Sequence, residues 1–261
     1  MIFLKTEEEI DLMRQANQLV GRTLGEVAKW VQPGVSTKRL DEIAEEFIRD
    51  NGGIPGFKGY EGFPGTLCIE VNDEVVHGFP SDYILRDGDI VGCDCGAVLN
   101  GYNGDSCYTF PVGEIDPQVL RLLKTTKESL YLGIEQAKSG NRVGHISYAV
   151  QDYCEKRGYT VVRELTGHGI GKGLHEDPDV PNYGRRGVGP LLRPGMCICI
   201  EPMINMGSKN VTIDRNGWTV RTRDHKWSAH YEHCLAIHQD STTEILSTFD
   251  YIQESLGDRF I

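Results

Sequence analysis

The sequence repeats itself once, so whatever unit the first half forms, the second half must be able to form as well. Gly34 and Gly52 stand eighteen residues apart around one helix-patterned stretch, and Gly140 and Gly158 stand eighteen apart around another. Leu85 to Gly88 reads LRDG, and Leu192 to Gly195 reads LRPG. Six residues beyond each of these glycines comes a carboxylate, Asp94 in the first half and Glu201 in the second. Each half also carries a His-x-x-Pro, HGFP from His77 and HEDP from His175. One such match is what turn chemistry produces by chance; several in the same order mark a duplication.

Each unit reads as a helix pair followed by a β-rich block. The stretch TEEEIDLMRQANQLVGRTLGEVAKWVQPG predicts a helix with Thr6 and Glu9 as capping box, apolar residues at helical spacing from Ile10 to Val31, and an end at Pro33-Gly34. A second helix is expected in STKRLDEIAEEFIRDNGG, a third from Asp116-Pro117, and a fourth in HISYAVQDYCEKRG from His145. The fold class expected is α+β: two halves related by a pseudo-twofold axis, each a helix pair plus an antiparallel sheet, with the acidic strand positions meeting at the centre. We expect one domain over 1–261, with the repeat falling at about 1–112 and 113–247, since a chain of this length can bury one substantial core.

Lys and Arg number 27 against 38 Asp and Glu, for a formal charge of −11. That balance opposes partnership with nucleic acid or an anionic membrane. No apolar run approaches the roughly 20 residues of a bilayer span, and MIFLKTEEEI turns acidic too early for a secretory signal. A cytoplasmic, soluble protein is expected. The eight cysteines are scattered, without the paired spacings of a structural zinc site, and read as reduced thiols.

Chemistry concentrates in the β-blocks. Asp94 and Asp105 lie in the first, Glu201 in CICIEPM and Glu232 in SAHYEHC in the second, all among apolar or aromatic strand residues. Four carboxylates buried together require positive charge. No Lys or Arg stands beside them in sequence, and two divalent ions would balance four negative charges. Strand alternation puts Cys93 and Cys95 on the face opposite Asp94, whereas Cys197 and Cys199 share the face of Glu201 if that strand is regular. His168, flanked by glycines in TGHGIGKGLHEDP, is a candidate nitrogen ligand. The same glycines lack GK[ST] or a strand-to-helix GxGxxG, so nucleotide binding fits poorly.

At VNDEVVHGFP, GDIVGCDCGAVLNGYNGDSCYTF, GHGIGKGLHEDP, ICIEPM and SAHYEH the chain resembles the type I methionine aminopeptidases, metallopeptidases of the pita-bread fold, in their minimal bacterial form. The likeness runs from the first helix to YEHCLAIH. It implies a two-metal site of Asp94, Asp105, His168, Glu201 and Glu232, with Asp105 and Glu232 bridging both ions, Asp94 on one ion, and His168 and Glu201 on the other. It implies His77 and His175 as auxiliary histidines, and a methionine pocket of Tyr60, Phe63, Cys68 and Trp218. Phe57 and Leu174 stand where some relatives have a cysteine and a phenylalanine.

The activity so implied is removal of the N-terminal methionine when the second residue is small, a metal-activated water attacking the first peptide bond. Glu201 is expected as general base, His175 as donor to the developing oxyanion, and His77 as the group that positions the amide. The ions expected are Mn, Fe or Co, with Zn compatible. The implied partners are nascent polypeptide N-termini at the ribosome, with no nucleic acid and no membrane, and the protein is expected to be a monomer. The alternatives are another pita-bread peptidase of the Xaa-Pro type and a non-catalytic binding protein of the same fold.

Overall fold

The computed structural model describes residues 1–261. Helix α1 (Glu7–Ala28) opens as its sequence requires: Thr6 Oγ1 accepts from the Glu9 N–H at 3.3 Å, and Glu9 accepts in return from the Thr6 N–H at 3.0 Å. It closes at Ala28 rather than at Pro33, because the chain leaves in a tight turn in which the Trp30 N–H bonds the Val27 carbonyl. Helix α2 (Thr37–Asp50) is capped by Ser36, and α3 (Pro117–Ile134) by Asp116 with proline in its first turn. Helix α4 (Val143–Glu155) starts two residues before the expected His145, whose Nδ1 instead accepts from the Arg142 N–H at 3.1 Å and so satisfies that end of the helix. A fifth helix, α5 (Asp250–Leu256), lies against α1. Gly25 permits that close crossing, since a Cβ there would lie 2.6 Å from the Cβ of Tyr251.

The first half contributes a four-stranded antiparallel sheet built on the hairpin Ile90–Leu99 and Tyr102–Pro111, with Leu67–Val71 along its other side. The second half contributes a five-stranded sheet in which Cys197–Ile200 lies between Gly167–Gly169 and His233–Ile237. The α+β expectation holds. Residues directly opposite in an antiparallel ladder share a face. Cys68 opposes Asp94, Asp94 opposes Cys107, and Gly96 opposes Asp105, so all of these side-chain positions point one way. Cys93 and Cys95 point the other way, into a cluster of 44 buried residues that also takes in Leu19, Leu24, Ile146, Val150 and Ile200 from both halves.

Two contacts lock the halves together. Val220 of the second half pairs with Val76 of the first. The segment His230 to Glu232 is laid on the strand Tyr102–Pro111: Ser106 Oγ donates to the Glu232 carbonyl at 2.8 Å, the Glu232 N–H donates to the Cys107 carbonyl at 2.9 Å, and Thr109 Oγ1 donates to the His230 carbonyl at 2.6 Å. No helix is long and apolar enough to cross a membrane.

Candidate metal centre

The five proposed ligands arrive from five backbone segments. Asp94 and Asp105 come from the two strands of the first hairpin, His168 from the short strand Gly167–Gly169, Glu201 from just past Cys197–Ile200, and Glu232 from just before His233–Ile237. In the second sheet His233 opposes Ile200, and one further step of that register brings Glu232 opposite Glu201. The structure thus gathers one acidic pair from the first hairpin and one from two paired strands of the second sheet. His168 Nε2 lies 3.8 Å from Asp105 Oδ2 and 3.7 Å from Glu201 Oε1. Asp105, His168, Glu232 and Cys199 each place a ligand atom within 4.8 Å of the others. Cys197, two residues earlier, shares with Cys199 the apolar cluster of Ile10 and Met13 but is not among these grouped donors.

The electrostatics are those of a cation site without compensating side chains. Asp94, Asp105 and Glu232 are at most 9 % exposed. Asp94 Oδ1, Asp105 Oδ1 and Glu232 Oε1 accept no hydrogen bond. The ion-pair contacts of this cluster run to His168 and His230, never to Lys or Arg. Burial pushes Asp94 up to about 7. Burial and then the neighbouring carboxylates drive Asp105, Glu201 and Glu232 well above the ordinary carboxylate range. Burial holds His168 down to about 3, so its imidazole is neutral. The Gly169 carbonyl lies 2.8 Å from His168 Nδ1 and fixes the proton there, leaving the Nε2 lone pair aimed at the carboxylates. Anionic oxygens lacking partners, beside an unprotonated nitrogen, fit a divalent cation.

Above this floor is a cavity of about 340 Å³. All eight side chains expected for the pocket line it: Phe57, Tyr60, Phe63, Cys68, His77, Leu174, His175 and Trp218. Phe63 meets Trp218 edge-on, with ring centroids 5.3 Å apart, and His77 meets Trp218 at 6.0 Å. Tyr60 Oη lies 3.0 Å from His175 Nδ1, and the His175 ring stands edge-on to His168 at 4.4 Å. Burial, and then His175, lower His77 to about 4, so it too is neutral near pH 7. Cys68 faces the cavity, but burial and Asp94 raise its thiol well above the ordinary range, a poor setting for a reactive thiolate. Larger clefts of about 550 and 710 Å³ open elsewhere and contain none of the four carboxylates.

Sequence reading did not single out Glu61, Val76 or His230, which also line the cavity. His230 carried a signal: it stands two residues before Glu232, the spacing that keeps strand residues on one face. Glu61 sits at the cavity rim with a positive φ of 48°, and nothing in its local sequence marks it.

Such a fold with such a centre defines a metallopeptidase, and residues 11–239 match metallopeptidase family M24. Over 91% of its length the chain is 52% identical to methionine aminopeptidase 1 of Bacillus subtilis, covering 96% of that relative. The crystal structure of methionine aminopeptidase from Thermotoga maritima superposes with a TM-score of 0.93 at 40% identity, over 95% of this chain and 100% of that one. The prolidase from Pyrococcus furiosus superposes at 0.75 with 22% identity, covering 94% of this chain and 65% of that one, a likeness of fold alone. The chain belongs to metallopeptidase family M24 and, within it, to the methionine aminopeptidases. Membership makes the cofactor a divalent metal ion.

Proposed function

We propose that this protein is a metal-dependent aminopeptidase that removes N-terminal methionine from peptides and nascent chains when the second residue is small. The observation that carries the reading is the junction of an aromatic cavity with a floor of partnerless carboxylates and one neutral imidazole. Asp94, Asp105, His168, Glu201 and Glu232 would hold two divalent ions, with Asp105 and Glu232 shared between them. Carboxylates and one imidazole suit Mn, Fe, Co or Zn. Bound there, such ions supply the Lewis acidity that lowers the pKa of water and polarises a carbonyl.

The remaining steps belong to the chain. Glu201 takes the proton from the attacking water and passes it to the leaving amine. Tyr60 Oη beside His175 Nδ1 suits the tautomer in which the tyrosine donates to Nδ1 and His175 Nε2 carries the proton. That Nε2–H then donates to the oxyanion as it develops. His77, held neutral and edge-on to Trp218, orients the scissile amide. The net charge of −11 argues for peptide rather than nucleic-acid partners. Eight free cysteines fit a reducing compartment, the cytoplasm, where a monomer would meet nascent N-termini.

Two outcomes test this. Among Met-Ala, Met-Leu, Val-Ala and Ala-Pro peptides, Met-Ala is cleaved fastest. An unbranched thioether bends to fill the slot between Phe63 and Trp218, whereas a β-branched valine is stiff at χ1, and such pockets discriminate by about 10- to 200-fold. Faster cleavage of Ala-Pro would make this a proline-directed peptidase instead. His175→Ala lowers kcat on the order of 100-fold, the size of a lost oxyanion donor, with metal content equal to that of the parent. Metal loss in that variant would move His175 among the ligands.

A further inference from the structure

Behind the wall of the cavity lies a second group of donors that the proposed reaction does not use. We propose that Glu70, Cys107 and His230 form a third cation site, selective for a thiophilic divalent ion of the zinc class and adjoining the five-residue centre.

The three side chains each place a ligand atom within 4.8 Å of the others. Glu70 and His230 are 3 % exposed and Cys107 is fully buried. Glu70 Oε1 and Oε2 have no hydrogen-bond partner, and neither do Nδ1 and Nε2 of His230. Outside the five-residue centre the molecule satisfies its other buried acids. Asp41 accepts from the N–H groups of Thr66 and Leu67 at 2.7 and 2.8 Å, and Asp89 accepts from Asn72, Tyr83 and the Arg86 N–H. Four orphaned polar atoms on two touching residues therefore point to a missing group rather than to loose packing.

The backbone makes room for the cluster. Glu70 opposes Gly92 in the first sheet, and a Cβ on Gly92 would lie 2.4 Å from Glu70 Oε2, so the carboxylate occupies space that any other residue would fill. Cys107 and Glu70 share the sheet face of Asp94. His230 is held above them by the bonds that Thr109 makes to its backbone. His230 also lines the cavity, with Nε2 3.9 Å from Glu201 Oε2, whereas Glu70 and Cys107 do not; Glu70 in turn places a carboxylate oxygen within 4.8 Å of ligand atoms of Asp94 and Cys68, so the two groups of donors adjoin.

The donor chemistry sets the ion class. The Cys107 thiol, which donates to the His230 carbonyl at 3.6 Å, would give up its proton on binding an ion, and a carboxylate, a thiolate and a neutral imidazole then neutralise one divalent cation. Nitrogen, sulfur and oxygen donors at bond lengths of about 2.0–2.3 Å are the usual zinc set, with a fourth position for water. The rival arrangement is a proton shared between Glu70 and His230 with no ion at all.

Cobalt distinguishes them, because a thiolate bound to Co²⁺ gives a sulfur-to-metal charge-transfer band in the near ultraviolet that carboxylates and imidazole do not. The full chain, stripped with a chelator, is titrated with Co²⁺ while the band and bound cobalt are followed. The band is expected in the parent and in Asp105→Asn. It is lost in Cys107→Ser, together with one equivalent of cobalt, and retained in Cys199→Ser. Glu70→Gln, which keeps the side chain's shape, also loses the equivalent and guards against a folding defect in the cysteine variant. A parent without the band, or a band removed by Cys199→Ser but not by Cys107→Ser, overturns the proposal. Methionine release by the parent is measured separately and does not bear on the band.

Discussion

Asp105→Asn and Glu232→Gln will each abolish peptide hydrolysis and leave the purified protein depleted of metal. Residues that only orient metal ligands cost about 10- to 100-fold when replaced, so removal of a shared ligand should exceed 100-fold. The substitutions preserve shape. An amide keeps one oxygen but loses the charge, and it adds an N–H₂ group that faces a cation. The surroundings have nothing to offer in exchange, since Asp105 Oδ1 and Glu232 Oε1 already lack protein partners and the neighbouring charges are carboxylates. Because Glu232 is tied through its backbone to Ser106 and Cys107, its segment should stay in place and the variants should fold. Metal analysis and steady-state turnover on a Met-Ala-Ser peptide decide the matter together. Near-parental turnover at full metal occupancy in either variant would remove that residue from the ligand set.

Stripping the metal should make stability fall as pH rises through about 7, the folded-state value of Asp94. The buried carboxyls have folded-state pKa values raised above their unfolded ones, Asp94 from 3.8 to about 7 by burial and Asp105, Glu201 and Glu232 upward as well. Such groups bind protons more tightly when folded, so their stabilisation is full below the unfolded value and is lost as pH rises through the folded one. His77 and His168 have the opposite shift, from 6.5 down to about 4 and about 3. They cost stability only below 6.5, where the unfolded chain takes protons that the folded chain refuses. From 6.5 to about 7, Asp94 still releases its proton without opposition from these histidines, at up to about 1.4 kcal/mol per pH unit, and Asp105, Glu201 and Glu232 are shifted in the same direction. At about 2–4 °C per kcal/mol, the unfolding midpoint should drop by several degrees per unit. With metal bound the cation replaces the protons and the slope should flatten. Melting curves at pH 6.5, 7.0 and 7.5, with and without chelator, check this. Parallel slopes would show that the four acids do not repel one another in the folded state.

Much of this was legible because the relevant information is local. The Thr6–Glu9 capping box, the Asp116 cap and the proline at the start of α3 all act within one turn, and the structure has each of them. The misplaced helix ends at Ala28 and Val143 have local causes of another kind, a backbone turn and a histidine cap, which apolar periodicity does not encode. Strand parity was equally readable: Cys93 and Cys95 face the apolar core while Asp94 faces away.

Glu70 shows where such reading stops. In sequence it is one acid in a strand, indistinguishable from a solvated face residue; in the fold it is sealed beneath His230 and Cys107 with no partner. The sequence by itself determined four of the helices, the face on which Asp94, Cys93 and Cys95 lie and, through the resemblance, the family. Only the tertiary structure decided that the acidic faces of the two sheets meet, that Glu232 is bonded to the strand Tyr102–Pro111, and that a second donor group lies beside the first. A side chain's face follows from backbone geometry within a few residues. Which faces meet depends on how two sheets far apart in the chain close on each other, and no local period records that closure.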